Sequence, residues 1–195
     1  MKLATDPTPN ERDAAISTQS GQTVRPFDPD PAAVDLADLA HGTANVCRAA
    51  GQSRFFYSVA LHSLYVSREL ERAGEDERTQ LYGLLHDASE AYVADVPGPL
   101  KKHLPNYKRA EEHVQDAIWV AFELEPPTDE AWTAVKRADG RLQRFELPVL
   151  IPSQEWEGDR PALGYDLRLD ATDDVPALFE SRATELVEAT DAARP

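Results

Sequence analysis

Cysteine is almost missing from this chain: Cys47 is the only one in 195 residues. A disulfide framework and a multi-cysteine zinc site within one chain are thereby excluded, and a cytoplasmic location is expected. No run approaches the roughly 18 uncharged apolar residues that a membrane span needs. The opening MKLATDPTPNERDAA has no apolar h-region, so no secretory leader is expected either. Three motifs are absent as well: the GxxxxGK[ST] phosphate loop, the GxGxxG dinucleotide fingerprint and the GxSxG nucleophile elbow.

Lysine is scarce too. Lys2, Lys101, Lys102, Lys108 and Lys136 are the only lysines among 20 basic residues, which face 35 acidic ones for a net charge of −15. A field of that sign repels nucleic-acid polymers and anionic membranes, so neither is an expected partner. An acidic, lysine-poor surface suits a protein working at high salt, as in a halophile, where ions screen its self-repulsion.

What is present is an ordinary globular composition, 42% hydrophobic and 8% aromatic. At this length one domain buries about 70% of its unfolded surface and needs no staple. Residues 1–14 are polar and without period, so a disordered tail is expected ahead of a domain over 15–192. Gly, Pro and Asp between Ile16 and Asp30 favour turns or a short extended piece. Beyond Pro31 apolar residues recur at helical spacing. The pattern predicts a helix after Pro31 that Gly42 interrupts, then helices over Tyr57–Ala73, Asp76–Val93 and Asn106–Glu123. A further helix starts at Thr128 or Asp129 and carries Val135, Ala138 and Leu142; the last covers Val175–Ala193. Pro148, Pro152 and Pro161 are expected to break the stretch between these two. Strand signals are sparse, and the expected class is all-α.

Of five histidines only His86 directly precedes an aspartate, in LLHDASE. The pattern places His86 and Asp87 mid-helix behind Leu84 and Leu85, where a bare aspartate is costly unless paired or metal-bound. Glu90 follows at helical spacing on the same face. His62 sits in the most apolar helix, YSVALHSLYVS; taken alone, it reads equally as a core histidine bonded through one nitrogen. Asp139 in VKRADGRL lies behind an apolar position and, alone, reads as a capping or ion-paired residue. Together His62, His86, Asp87 and Asp139 offer two imidazoles and two carboxylates, a set suited to one Mn²⁺, Fe²⁺, Co²⁺ or Zn²⁺ ion. Glu90 is the first choice for handling the proton of an attacking water, and Asp95 for leaving-group protonation or for ordering the metal shell. Lys101 stands in an acid-free basic decamer, Leu100–Arg109, that could attract a phosphate. Arg48 and Arg54 offer bidentate forks upstream of His62. His103 and His113 read as surface residues.

The order H…HD…D, carried by His62, His86–Asp87 and Asp139, resembles the HD-domain superfamily of metal-dependent phosphohydrolases. More narrowly, YSVALHS, GLLHDASEAYVADVPGPLK and VKRAD look like the branch with bacterial 5′-deoxynucleotidases and small phage-type dNTP phosphohydrolases, over roughly residues 35–150. The resemblance implies an all-helical HD-type domain with a single divalent ion at those four ligands. It puts Glu90 and Asp95 where the deoxynucleotidases place their catalytic carboxylates, and Arg48 and Arg54 where this branch places phosphate- or base-contacting residues. The deoxynucleotidases carry an Arg–Trp pair there; this chain has Arg48–Ala49. The implied substrate is a deoxynucleoside 5′-monophosphate, cleaved to nucleoside and phosphate. One alternative is a dNTP triphosphohydrolase of the dATP type, and a third, of another class, is a non-catalytic nucleotide sensor. Relatives in this branch are often homo-oligomers.

The charge pattern itself is open to test. The melting temperature should climb between low and molar KCl as screening relieves the acidic surface; indifference to salt would remove the halophilic reading.

Overall fold

In the computed structural model, residues 8, 11, 13–168 and 174–192 are described. Most of the expected N-terminal tail falls outside them, although Glu11 pairs with Arg109. A small antiparallel hairpin opens the fold. Its strands, β1 (Ile16–Ser17) and β2 (Thr23–Val24), place Ile16 opposite Val24. A 3₁₀ turn, Pro31–Ala33, precedes the helices α1 (Leu36–Asn45), α2 (Val59–Ala73), α3 (Glu77–Leu85), α4 (Glu90–Val93), α5 (Gly98–Lys101), α6 (Pro105–Ala121), α7 (Asp129–Leu150) and α8 (Val175–Ala192). The fold is all-α.

Local chemistry sets the boundaries. Asp35, Ser58, Asp76 and Thr128 cap α1, α2, α3 and α7, their side chains accepting backbone N–H groups that the first turn leaves unpaired. Gly74, at φ +79°, ends α2, and Glu75 N–H closes back on Leu70 O.

The helices α2 and α3 form the centre. From Thr79 to Leu85 every residue of α3 is buried, as is most of α2 from Val59 to Leu70. α7 and α8 pack against both, and α1 lies on α2 and α8. The shared core includes Leu61, Leu64, Leu84, Leu85, Ile118, Leu142 and Phe179. α4 is wedged between α1 and α6.

Three expectations need correction. The helix expected over Asp76–Val93 stops at Leu85 and resumes at Glu90, so His86 and Asp87 stand on a turn at its break. α1 runs straight through Gly42, and the proline at 148 sits inside the last turn of α7 without breaking it. Only the two residues Val149 and Leu150 follow that proline in the helix, so little of the ladder is left to lose.

Gly42 has a packing reason to be glycine. A Cβ there would stand 2.8 Å from Ala91 Cβ and 2.9 Å from Ala91 O, where α1 meets α4. Alanine in a helix is favoured over glycine by about 1 kcal/mol, whereas overpacking against backbone costs typically ~1–3 kcal/mol. The clash should win. Gly42→Ala is expected to lower unfolding stability by about 1–2 kcal/mol in urea titrations; a more stable variant would contradict this packing.

Candidate metal centre

His86 owes its position to the break after α3. A continuing helix would pair Ser89 N–H with Leu85 O. Instead the Gln115 side chain, from α6, takes both groups: its Nε2 donates to Leu85 O at 2.9 Å and its Oε1 accepts from Ser89 N–H at 3.3 Å. Between them the backbone tightens to i→i+3 bonds, Ala88 N–H to Leu85 O and Glu90 N–H to Asp87 O, each 3.0 Å. At three residues per turn, Asp87 and Glu90 come into line, one above the other.

Both imidazoles are held through Nδ1. His86 Nδ1–H donates to Gly83 O at 2.8 Å. His62, in the first turn of α2 and fully buried, has Nδ1 at 3.0 and 3.1 Å from the two oxygens of Glu146. Each ring therefore turns Nε2 inward, and both Nε2 atoms are buried without a hydrogen-bond partner. His86 Nε2 is 3.2 Å from Asp87 Oδ2; His62 Nε2 is 3.9 Å from that oxygen and 3.2 Å from Asp139 Oδ1. Donor atoms of His62, His86 and Asp87 all lie within 4.8 Å of one another, so this group could hold a metal ion. Such spacing suits bonds of about 2.0–2.2 Å from nitrogen and oxygen to one cation. Asp139 stands beside His62, outside that three-way group, with Oδ1 accepting from Gln143 Nε2 at 2.7 Å.

Electrostatics say the same. Asp87, Glu90, Asp95 and Glu146 all act on one arginine: Arg48 Nη1 is 3.2 Å from Asp87 Oδ2, and its Nε 3.9 Å from Glu146 Oε2. Burial and the Asp87 and Asp95 charges push the Glu90 carboxyl up to about 10, against the pull of Arg48 and Lys101. Burial and Arg48 would depress His62, but Glu146 and Asp139 outweigh them and lift it to about 9. Burial opposes ionisation of Asp139 as well, yet His62 and His86 hold it well below the usual carboxylate range. Without a cation the centre keeps protons to balance its charge. A divalent ion would replace them.

Sequence reasoning did not single out Glu146, the most buried acid of the centre at 0% exposure. It also accepts a hydrogen bond from Tyr57 Oη. Its signal was the same as that of Asp139: an acid two helical turns further along the same face, between Leu142 and Leu150. Gln115 and Gln143 carried no such signal.

Other expected site residues are placed as follows. Glu90 is buried, with Oε2 unpartnered and Oε1 3.7 Å from Lys101 Nζ. Lys101 is also hydrogen-bonded to Glu111. Asp95 Oδ2 accepts the Ala49 N–H at 3.0 Å. That bond joins two strained segments: Ala49, Ala50 and Ala94 have φ of +57°, +51° and +65°. Left-handed backbone costs a residue with a Cβ about 1–2 kcal/mol. Arg54 is not brought to the centre; it is exposed, its guanidinium 5.6 Å from the Phe55 ring centroid. His103 is exposed as expected, whereas His113 is half-buried, with Nδ1–H donating to Phe27 O at 3.0 Å.

Fold and site together define an all-α protein in which two buried histidines and a half-buried aspartate form a group that could hold a metal ion. No helix among the described residues is long and apolar enough to cross a membrane. The chain belongs to the family of the uncharacterized protein RCAP_rcc00048 of Rhodobacter capsulatus, being 35% identical over 178 residues, which span 84% of this chain and 90% of that protein. It is also 41% identical over 104 residues to the uncharacterized protein YfdR of Escherichia coli; that match spans 53% of this chain and 54% of the relative. No protein-family model matches the sequence.

Proposed function

We propose that this protein is a metal-dependent phosphohydrolase of the HD type that cleaves phosphate esters of nucleotides, deoxynucleoside 5′-monophosphates in the first place. The observation that carries the reading is the pair of buried, unpartnered Nε2 atoms on His62 and His86, converging with Asp87. Water-excluded ring nitrogens are costly to leave unmatched, and a metal ion that displaces their protons would match them. The donor set of imidazole and carboxylate favours Mn²⁺, Co²⁺, Fe²⁺ or Zn²⁺ over Mg²⁺ or Ca²⁺.

A divalent ion held here supplies positive charge to the phosphoryl oxygens and acidifies nearby water. The chain's own groups do the rest. Glu146 and Gly83 O hold the two imidazoles in the tautomer that presents Nε2. Glu90 is the base: its unpartnered Oε2 is free to accept the proton of a water attacking phosphorus. As the new P–O bond forms, the P–O5′ bond breaks, its electron pair stays on O5′, and that oxygen takes a proton from solvent. Arg48 uses one Nη1–H on Asp87 and keeps other donors for the phosphate. Lys101, beside Glu90 and a quarter exposed, adds a second cation at the open side. The local pair of positive groups counters the repulsion that a net charge of −15 exerts on an anionic substrate.

Incubation of the Mn²⁺- or Co²⁺-loaded protein with a panel of dNMPs and dNTPs, followed by product separation, tests the reaction. Release of inorganic phosphate from dNMPs is expected; triphosphate from dNTPs would assign the triphosphohydrolase chemistry. Asp87→Ala should lose metal and activity together. Glu90→Gln should keep the metal and lose about 10²–10⁴ in turnover. Parental turnover in Glu90→Gln would remove its role as base. Tight nucleotide binding without turnover by the loaded parent would make the protein a sensor.

A further inference from the structure

The phosphohydrolase reading assigns no work to Asp95, although the sequence offers it for leaving-group protonation or for ordering the metal shell. Its surroundings suggest another role. Asp95 Oδ2 accepts the backbone N–H of Ala49, immediately after Arg48. Ala49, Ala50 and Gly51 are three consecutive residues with positive φ, at +57°, +51° and +72°. Such a left-handed run persists only where its surroundings enforce it.

The loop is anchored before and after this run. Arg48 N–H donates to Tyr57 O at 2.9 Å, and Arg54 N–H to Leu150 O at 2.9 Å. Between those points Gly51 and Gln52 bond only back into the turn, to Arg48 O and Ala49 O. Among the described residues, the bond to Asp95 is the one that ties residues 49–52 to another part of the chain. The far end of that bond is strained as well, since Ala94 has φ +65° and ψ 164°. The Ala94 N–H donates to Glu90 O at 3.0 Å, and Ala94 O accepts from Tyr107 Oη at 2.6 Å, which fixes Asp95 relative to α4 and α6. A carboxylate oxygen on a backbone N–H forms a charge-assisted bond that is well suited to hold such a turn.

We infer that Asp95 is a positioning residue, which pins the left-handed Ala49–Gly51 turn and thereby aims Arg48 at Asp87 and the bound phosphate. The inference rests on the proposed phosphohydrolase reading for its kinetic consequences, and on the loop geometry for its structural ones. It distinguishes two kinds of substitution. Asn at 95 keeps an oxygen that accepts the Ala49 N–H but cannot transfer a proton as an acid. Ala at 95 removes both.

The test uses the full-length, Mn²⁺-loaded protein and compares Asp95→Asn, Asp95→Ala, Arg48→Ala and the Asp95→Ala/Arg48→Ala double variant. Kinetics are read on a deoxynucleoside 5′-monophosphate, and hydrogen exchange by mass spectrometry on peptides covering residues 47–56. Asp95→Asn should stay within about fivefold of the parent in kcat/KM and leave exchange unchanged. Asp95→Ala should raise KM about tenfold or more, speed exchange of the loop, and add no further loss in the absence of Arg48. A hundredfold or greater fall in kcat for Asp95→Asn at unchanged KM would identify an acid and overturn the inference. So would additive effects of Asp95→Ala and Arg48→Ala. If the parent turns over no nucleotide, the phosphohydrolase reading fails alone, and exchange still decides: an unaltered loop in Asp95→Ala overturns the positioning role.

Discussion

Two histidine Nε2 atoms, both buried and without a hydrogen-bond partner, are the constraint around which this structure is organised. Each is oriented by a bond on the far side of its ring, to Glu146 in one case and to Gly83 O in the other. The protein therefore invests a fully buried carboxylate and a helix-end carbonyl in turning two nitrogens toward the same point. Unpaired nitrogens in a dry interior oppose folding, and a cation shared among His62, His86 and Asp87 would convert that penalty into binding.

The rest of the fold serves this placement. Of the two most buried helices, α2 carries His62 and α3 ends directly before His86, so both rings are anchored to the core. Gln115 reaches in from α6 to replace one helical hydrogen bond, and the tightened turn lines Asp87 up with Glu90. On α7, Asp139 and Glu146 are two turns apart on the face that meets His62. Arg48 enters from a strained loop and balances part of the carboxylate charge. Acid-rich surroundings make these few cations matter more, because the chain as a whole carries −15.

Much of this was legible in the residues, for physical reasons that differ from place to place. Helical periodicity marked α2, α6 and α7 to within a few residues, and Thr128 marked the start of α7 because a cap acts locally. His62 and His86 stood out as polar groups in apolar stripes, and the structure does bring them together with Asp87. The break at His86 was invisible, since its cause, Gln115, lies 26 residues from Ser89 and acts only in the folded chain. Glu146 was overlooked because proline at 148 argued against helix where helix continues. Arg54 rests on the family resemblance and on its place upstream of His62, and the fold leaves it exposed beside Phe55.

The central claim is that His62, His86 and Asp87 share one cation. Anomalous diffraction at the metal edge, from crystals grown with Mn²⁺ or Co²⁺, tests it most directly. The account predicts a single peak per chain about 2.0–2.2 Å from both Nε2 atoms and from an Asp87 oxygen. A pocket without anomalous density at saturating metal, or density held elsewhere on the chain, would contradict it.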